Sequence, residues 1–436
     1  MMQSLIALPS ISSAQAALDQ SNRPAAEQMA SWLEPLGFRC ELMPLPRQPD
    51  KCNLVATLGS GDGGLVLAGH LDTVPYDEGA WTTDPFTGTV RDGRLYGLGS
   101  TDMKGFLALA ATAAARFQAD QLREPLILLG TADEETGMEG AQRLLELGRP
   151  RARQAVIGEP TGMRPIRAHK GILMEAIQVT GQAGHSSNPA GGANAIEGMA
   201  RVIAALQSLQ AALRAEYNDP LFAVNHPTLN IGHVCGGDAP NRIPARCELH
   251  IDLRFLPGMP IEALRQRIHG AVRRAVADTA FGVEVRPLFD GTPAHGCEAT
   301  TAICQAVERM TGDTAGAVDF ATEAGYFGAL GMDTVILGPG DIDCAHQPDE
   351  YLRLDRVEPT IDLLAGCSGP TVIALGAMLE LGDAADGFHA EMGRRARERG
   401  IDVFVGVGDA VRPALEAFGP GGHWYATREQ AAAAAR

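Results

Sequence analysis

Five separated segments of the chain each place a side chain that can bind a metal ion just after a short apolar run or in a glycine-flanked loop. These residues are His70 with Asp72, Asp102, Glu134 with Glu135, Glu159 and His346. Such a set can hold two divalent ions around one shared carboxylate and still leave one carboxylate free to move protons. Histidine mixed with carboxylates suits zinc, cobalt or manganese better than calcium, which prefers oxygen ligands alone. The chemistry that this set predicts is hydrolysis.

Each of these residues alone has a simpler explanation. A single histidine after a strand is more often a hydrogen-bonded structural residue, and an adjacent pair of glutamates usually belongs to a solvated face. Asp102, in Gly99-Ser-Thr-Asp-Met-Lys-Gly105, can cap the helix that follows it. Their joint occurrence favours a metal centre, because burying so many carboxylates without cations costs several kcal/mol for each one.

The sequence pattern of the segments that carry these residues predicts α/β structure. Short apolar runs alternate with alanine-rich helical stretches such as Phe106–Phe117, which predicts a largely parallel sheet covered by helices. The runs are Asn53–Leu58, Leu65–Ala68, Leu126–Leu129, Ala155–Ile157 and Thr334–Leu337. Ligands in open α/β sheets gather at the carboxyl ends of the strands, so we expect most of the metal-binding side chains on one rim.

The pattern changes at about Gly171 and returns to α/β after residue 292, which predicts an inserted domain. Its elements follow a strand-helix-strand-strand-helix-strand order, the split βαββαβ arrangement. They are Ile172–Thr180, Ala193–Ala215, Thr228–Val234, Cys247–Phe255, Ile261–Thr279 and Val283–Leu288. We therefore predict a discontinuous catalytic domain over 1–170 plus 292–366 and an inserted domain over 171–291. A third zone over 367–436 has strand-like Thr371–Leu375 and Val403–Val407 around a helical Ala384–Arg399.

The bulk composition excludes several classes of function. A length of 436 residues suggests two or three domains. The net charge of −17 repels nucleic acid and anionic membrane surfaces, so neither is expected as a partner. Eight scattered cysteines without a Cys-x-x-Cys pair indicate a reducing compartment. The first residues have no basic signal-peptide region, and we expect a cytoplasmic protein.

Six ordered blocks of residues 1–366 resemble the signatures of the dinuclear zinc aminoacylase and desuccinylase metallopeptidases. The blocks are Gly69–Pro75, Tyr96–Gly105, Asp133–Thr136, Gly158–Thr161, Gly184–Ser187 and Ala345–Glu350. Three further segments are most similar to the members that remove acetyl from N2-acetyl-L-ornithine in arginine biosynthesis: Ala168–Gly171, Thr228–Ile243 and Gly338–Leu352. The resemblance implies that activity. The alternatives are another N-acyl amino acid deacylase, a succinyl-diaminopimelate desuccinylase or a dipeptidase, all acting on small molecules.

The resemblance also implies roles for the residues of the metal cluster. His70, Asp102 and Glu159 are expected to hold one ion, and Asp102, Glu135 and His346 the other, with zinc as the expected metal and cobalt as the alternative. Asp102 is then the bridge. Asp72 is expected to orient the imidazole of His70, or else to cap a turn. Glu134 is left without a metal and is expected to act as the general base.

Further residues are implied for the inserted domain, which in the family acts as a lid and dimerisation domain. His185 is expected to enter the active site of the other subunit of a homodimer and to stabilise the oxyanion, or else to bond Ser186 or Ser187 within its own loop. Asn241 and Arg254 are expected to bind the substrate carboxylate, although Arg254 can instead pair with a surface acid. Glu323 is a candidate contact for the cationic end of the substrate.

The tail resembles a different family. Leu375–Gly382, His389–Gly393, Gly400–Asp402 and Val407 with Gly408 are similar to the C-terminal domain of the Mur peptidoglycan ligases, closest to the ligase that adds D-alanyl-D-alanine. Only a fragment of that domain is present. The chain has no Gly-x-x-Gly-Lys-Thr phosphate loop, so ligase activity is not expected. We expect this α/β fragment to be dispensable for hydrolysis.

Overall fold

The computed structural model describes residues 1–366, 372–376, 385–398, 401 and 403–434. These fall into two compact units, Met1–Ala365 and Gly366–Arg436, and each is described by itself. Among the described residues, none of the helices combines the length and the apolar character that crossing a membrane requires.

The first unit contains eighteen strands among its described residues. They are β1 Arg39–Pro44, β2 Cys52–Leu58, β3 Leu65–His70, β4 Thr89–Arg91, β5 Arg94–Tyr96, β6 Leu126–Thr131, β7 Gln154–Ile157, β8 Ile166–His169, β9 Gly171–Thr180, β10 Gly184–His185, β11 Thr228–Gly236, β12 Arg242–Ile243, β13 Arg246–Phe255, β14 Gly282–Pro287, β15 His295–Gly296, β16 Gly316–Val318, β17 Asp333–Ile336 and β18 Tyr351–Arg353.

The α-helices of this unit cover the sheets. They are α1 Met2–Ile6, α2 Arg23–Leu33, α3 Lys104–Ala114, α4 Glu139–Leu147, α5 Ala195–Glu216, α6 Ile261–Ala275, α7 Ala302–Thr311, α8 Ala324–Ala329 and α9 Val357–Gly366, whose last residue is the first of the second unit. Helix α3 is shorter than the sequence predicts. Its expected last turn up to Phe117 tightens instead, because Arg116 and Phe117 bond to carbonyls three residues back.

The main sheet has nine strands, in the order β1-β2-β6-β3-β7-β17-β8-β15, with β16 paired to β8. Its central strands β6, β3, β7 and β17 are parallel to one another. The pairs β1 with β2, β2 with β6, β17 with β8 and β8 with β15 are antiparallel. Strands β3 and β6 are buried along their whole length, as continuous apolar runs require. The predicted α/β class, with a mixed and largely parallel central sheet, is confirmed.

A second sheet is built from β9, β11, β13 and β14, in the order β11-β13-β9-β14 with all neighbours antiparallel. Helices α5 and α6 share one apolar core with it, and α6 contributes Leu264, Ile268 and Val272 from one face. This is the βαββαβ order predicted from the sequence. The division into 1–170 plus 292–366 and 171–291 agrees with these sheets and stays a prediction.

Two small sheets were not predicted. Strands β4, β5 and β18 form one, in the order β18-β5-β4, and the two-residue strands β10 and β12 form the other. Each of these strands has only two or three residues, which is too short for a periodic pattern to mark in the sequence.

The described residues of the second unit form one parallel sheet of three strands, which neighbour one another in chain order. Its elements are β19 Val372–Gly376, α10 Ala385–Glu398, β20 Val403–Val407, α11 Arg412–Phe418, β21 Gly422–Tyr425 and α12 Arg428–Ala434. Phe404 and Phe418 pack together at its core with a ring-centroid distance of 5.3 Å. The predicted strands and helix occur here. The quoted positions 371, 377–382, 384, 399, 400 and 402 lie outside the described residues.

Candidate active site

His70 is the last residue of β3 and is buried. Its Nδ1 lies 2.9 Å from the backbone carbonyl oxygen of Asp72, and its Nε2 lies 2.9 Å from Oδ1 of Asp102. A carbonyl oxygen only accepts hydrogen bonds, so Nδ1 carries a proton, and Nε2 is the ring nitrogen that faces the cluster. Burial lowers the pKa of His70, but the hydrogen bond to Asp102 and the nearby carboxylates outweigh it and raise the pKa well above the usual value.

The sequence predicts that the carboxylate of Asp72 orients His70, but in the structure the backbone of Asp72 makes this contact. Its backbone carbonyl reaches Nδ1, whereas its Oδ1 is 3.8 Å from that nitrogen, beyond hydrogen-bonding distance. Oδ2 instead accepts a hydrogen bond from the backbone N–H of Glu135 at 3.1 Å. The side chain of Asp72 therefore fixes the segment that carries Glu134 and Glu135.

Asp102 lies between the two histidines of the cluster. Oδ1 faces Nε2 of His70 at 2.9 Å, and Oδ2 faces Nε2 of His346 at 3.3 Å. Oε2 of Glu135 is also 3.1 Å from Nε2 of His346. The hydrogen bonds that the His346 ring donates to Asp102 and Glu135 raise the pKa of His346 to about 10. For Asp102 itself, burial raises the pKa, but the bonds from His346 and His70 lower it below the usual value. This is the position that a carboxylate shared by two ions would occupy.

The remaining glutamates complete two groups of possible ligands. His70, Glu134 and Glu159 form one group, and His70, Asp102 and Glu135 form the other; within each group the ligand atoms lie within 4.8 Å of one another. Glu134 thus lies close enough to be a ligand as well as a base. Burial and the neighbouring carboxylates raise the pKa of Glu134 and of Glu159 well above the usual value. Crowded buried anions of this kind fit divalent cations, whose charge offsets their repulsion.

Glu159 is positioned by the glycine that precedes it. A Cβ atom on Gly158 would lie 1.9 Å from Cγ of Phe106, a residue of α3 that packs directly against this backbone. The close approach of α3 to the end of β7 therefore requires glycine at this position.

Two charged side chains without a role predicted from the sequence contact the segments that carry the cluster. The buried Nζ of Lys51 lies 3.0 Å from Oδ1 of Asp133, the residue before Glu134. The buried carboxylate of Glu350 accepts three backbone N–H bonds from the loop that ends in Asp102. A lone lysine before a strand gives no sequence signal, whereas Glu350 does have one, since it lies four residues after His346 in a quoted block.

The structure brings His185 and Asn241 together in the inserted segment. Strands β10 and β12 pair His185 with Arg242, and the backbone N–H of Ser186 donates to the carbonyl of Asn241 at 3.2 Å. The hydroxyl of Ser187 lies 2.8 Å from Nδ1 of His185, the local contact that the alternative reading expected. His185 and Asn241 are both exposed. Among the described residues, no hydrogen bond or ion pair connects His185 to the metal cluster.

The other two predicted substrate contacts are already engaged. The guanidinium of Arg254 donates to both carboxylate oxygens of Asp252 at 3.0 to 3.1 Å, which is the pairing with an acid that the alternative expected. Glu323 is buried, and its Oε2 accepts a hydrogen bond from the hydroxyl of Thr131 at 2.8 Å. Burial raises the pKa of Glu323 to about 7.

The chain is similar in sequence to known enzymes. Acetylornithine deacetylases of Proteus mirabilis (strain HI4320) and Edwardsiella ictaluri (strain 93-146) are each 47% identical to the chain, over 83% of its length and 93% and 94% of theirs. Among solved structures, the M20 family metallo-carboxypeptidase Sso-CP2 from Sulfolobus solfataricus matches with a TM-score of 0.65 and 18% identity, over 84% of this chain and 97% of that one.

A second solved structure, the YXEP protein of Bacillus subtilis, is described as a dinuclear metal binding peptidase from the M20 family. It matches with a TM-score of 0.60 and 16% identity, over 84% of this chain and 95% of that one. At these identities the structural likeness shows the fold alone. The sequence profile of peptidase family M20/M25/M40 matches residues 66–368, about two thirds of the chain. The chain therefore belongs to peptidase family M20/M25/M40 and is a hydrolase.

Proposed function

We propose that the protein hydrolyses N2-acetyl-L-ornithine to acetate and L-ornithine, a step of arginine biosynthesis. The observation that carries this proposal is the pair of possible ligand groups that share His70. The chain that holds them is 47% identical to acetylornithine deacetylases over 83% of its length. In the reaction the amide C–N bond breaks, the oxygen of water adds to the acetyl carbon, and a proton reaches the leaving nitrogen.

The residues proposed to hold two ions, with zinc preferred and cobalt as the alternative, are those expected from the sequence. His70, Asp102 and Glu159 would hold one ion, and Asp102, Glu135 and His346 would hold the other. Two such ions supply Lewis-acid polarisation of the amide carbonyl and lower the pKa of water at the site. A donor set of two imidazoles and several carboxylates suits zinc or cobalt.

Glu134 is the proposed general base. It sits within 4.8 Å of ligand atoms of His70 and Glu159, and its pKa is raised by burial and by neighbouring carboxylates. A carboxylate placed beside the water of the site can accept its proton and return it to the leaving amine. Asp72 contributes by holding the backbone of Glu135, so the two adjacent glutamates keep their positions.

His185 is proposed to stabilise the oxyanion from the partner subunit of a homodimer. Its Nδ1 is engaged by Ser187, which orients the ring and leaves Nε2 to reach a substrate oxygen. Asn241, next to it, is proposed to bind the substrate carboxylate together with Arg254. Asp252 holds Arg254 in this structure, so a substrate carboxylate has to share or replace that partner. Glu323 is proposed for the cationic end of ornithine.

The test is the release of ornithine from N2-acetyl-L-ornithine by metal-stripped protein, before and after zinc or cobalt is restored. A panel of other N-acyl amino acids, N-succinyl-diaminopimelate and dipeptides is measured beside it. The proposal expects the highest kcat/KM for the acetylornithine and loss of turnover on stripping. A higher value for another member of the panel would move the substrate assignment to that compound.

For residues 367–436 we propose no part in hydrolysis, and their likeness to Mur ligase C-terminal domains stays a hypothesis. The family profile ends at residue 368, and the first compact unit ends at Ala365. A chain that ends at Gly366, the last residue of α9, is the test: it should retain the turnover of the full chain. The expected cytoplasmic location also stays a prediction.

A further inference from the structure

The carboxylate of Glu350 is buried and binds one loop three times. Oε1 accepts hydrogen bonds from the backbone N–H groups of Thr101 at 2.7 Å and Asp102 at 3.0 Å, and Oε2 accepts one from Gly99 at 3.0 Å. The residue is only 2% exposed. All three donors belong to the loop that carries the proposed bridging ligand, although Glu350 lies 248 residues further along the chain from Asp102.

The backbone around Glu350 reinforces the same contact. Its carbonyl accepts a hydrogen bond from the N–H of Gly97 at 2.9 Å, and the hydroxyl of Thr101 donates to the carbonyl of Tyr351 at 2.5 Å. Gly97 and Gly99 have positive φ values of 157° and 81°. The loop is therefore irregular, and its buried N–H groups depend on this segment rather than on a helix or strand for their partners.

We propose that Glu350 is a positioning residue that fixes the carboxylate of Asp102 between the two histidines and so sets the affinity of the metal centre. Its bond reaches the N–H of Asp102 itself, so little backbone freedom separates the contact from the ligand. Groups that hold a ligand in this way commonly change metal affinity by about 10 to 100-fold when removed. This inference rests on the proposed function, in which Asp102 contacts both ions.

The neighbouring residue provides a matched control. Asp349 also accepts several hydrogen bonds, from the N–H and hydroxyl groups of Thr82 at 2.9 and 2.6 Å and of Thr83 at 3.1 and 3.2 Å. That loop carries none of the proposed ligands. Asp349→Ala thus removes a comparable set of bonds from the same segment without touching the loop of Asp102.

The experiment titrates metal-stripped wild type, Glu350→Ala and Asp349→Ala with Co²⁺ and records the visible absorption of bound cobalt together with the stoichiometry. We expect two ions in the wild type and in Asp349→Ala, and an affinity about 10 to 100-fold weaker with an altered spectrum in Glu350→Ala. Wild-type affinity and spectrum in Glu350→Ala overturn the inference. A wild type that binds no cobalt overturns the proposed metal centre, and this inference with it.

Hydrogen exchange of the metal-free proteins gives a readout that does not depend on the ions. The peptide containing residues 99–102 should exchange faster in Glu350→Ala than in the wild type and Asp349→Ala. If Glu350→Ala does not fold, Glu350→Gln carries the test. Its amide oxygen still accepts hydrogen bonds from the N–H groups of Thr101 and Asp102. Its NH₂ group faces the N–H of Gly99 and cannot accept that bond, so we expect weaker cobalt binding than in the wild type. Unchanged cobalt affinity in Glu350→Gln then overturns the inference.

Discussion

At the scale of single residues, the site combines five proposed ligands with one carboxylate kept for proton transfer. Glu134 and Glu159 both have raised pKa values because they are buried beside other carboxylates. Both also lie in one group of possible ligands with His70. Their proposed roles differ: Glu159 is proposed to hold an ion with His70 and Asp102, whereas Glu134 is proposed as the general base. Substitution of Glu134 can therefore distinguish a base from a ligand.

We predict that Glu134→Gln reduces kcat about 10² to 10⁴-fold while two metal ions remain bound, because the amide cannot accept the proton of water. Steady-state kinetics and metal analysis of the same sample check this. The matched control is Glu146→Gln on α4, an exposed glutamate that pairs with Arg143 on the same helix, and it should keep wild-type turnover. Loss of one equivalent of metal in Glu134→Gln would instead make Glu134 a ligand.

A second residue-scale prediction concerns acid stability. His169 is buried, its Nδ1 lies 2.9 Å from the carbonyl oxygen of Lys170, and its Nε2 accepts from the N–H of Thr322. Burial, with the nearby His295, lowers the pKa of His169 to about 3. Between that value and the unfolded pKa of about 6.5, only the unfolded chain binds the proton. The free energy of unfolding must therefore fall as the pH falls below about 6.5.

In metal-free protein, this contribution should disappear in His169→Gln. Between pH 6 and 4, the free energy of unfolding of the wild type should drop by up to about 1.4 kcal/mol per pH unit more than that of the variant. Above about pH 7.5 the two curves should run parallel, since neither state then binds this proton. Urea unfolding across the pH range measures both slopes. Equal slopes below pH 6 would show that His169 is not held neutral in the fold.

At the scale of elements, the sequence predicted that most of the proposed ligands would share one rim, because strand ends are marked by composition. Strands β3, β6 and β7 are buried apolar runs, and the side chains that follow them meet on one rim, as the rule for parallel sheets requires. The oxygen that contacts His70 could not be predicted, since the backbone and the side chain of Asp72 compete for the same nitrogen. The adjacency of His185 and Asn241 was equally hidden, because strands of two residues leave no pattern.

Packing of α3 against the main sheet gives a prediction at this scale. In Gly158→Ala the new methyl group would overlap the ring of Phe106, so α3 and the end of β7 must separate. We expect a loss of about 1 to 3 kcal/mol in the free energy of unfolding, together with weaker metal binding through displaced Glu159. Urea unfolding of the metal-free protein measures the first effect, and a cobalt titration measures the second.

The control for this change is Gly316→Ala in β16 of the same sheet. There the new Cβ meets only Cδ1 of Ile166 at an ordinary distance of 3.8 Å. Its unfolding midpoint and its cobalt affinity should remain close to those of the wild type. If Gly158→Ala behaved in the same way as Gly316→Ala, the glycine would not be required by the packing of α3.

At the scale of the whole molecule, His185 shares no hydrogen bond or ion pair with the cluster around His70 among the described residues. Five side chains form the two ligand groups of that cluster, and His346 joins them through Asp102 and Glu135. The side chain of His185 is exposed and bonds to Ser187 in its own loop. Pairing of β10 with β12 makes that loop a defined element rather than a loose connection. The proposed sharing between two subunits requires an exposed histidine that its own loop holds in place.

Sharing of sites predicts complementation between two inactive variants. Homodimers of His185→Ala and of Glu134→Gln should each have very low turnover, because every site lacks either the oxyanion donor or the base. In a mixed dimer, one of the two sites receives both Glu134 and the partner's His185, so purified heterodimers should recover up to about half of the wild-type kcat. Differently tagged subunits allow the heterodimer to be isolated and its mass verified before the assay. Recovery would distinguish a histidine donated by the partner from one that acts within its own chain. If His185 acts within its own chain, each site of the heterodimer still lacks one group. Turnover would then stay at the level of the two inactive homodimers.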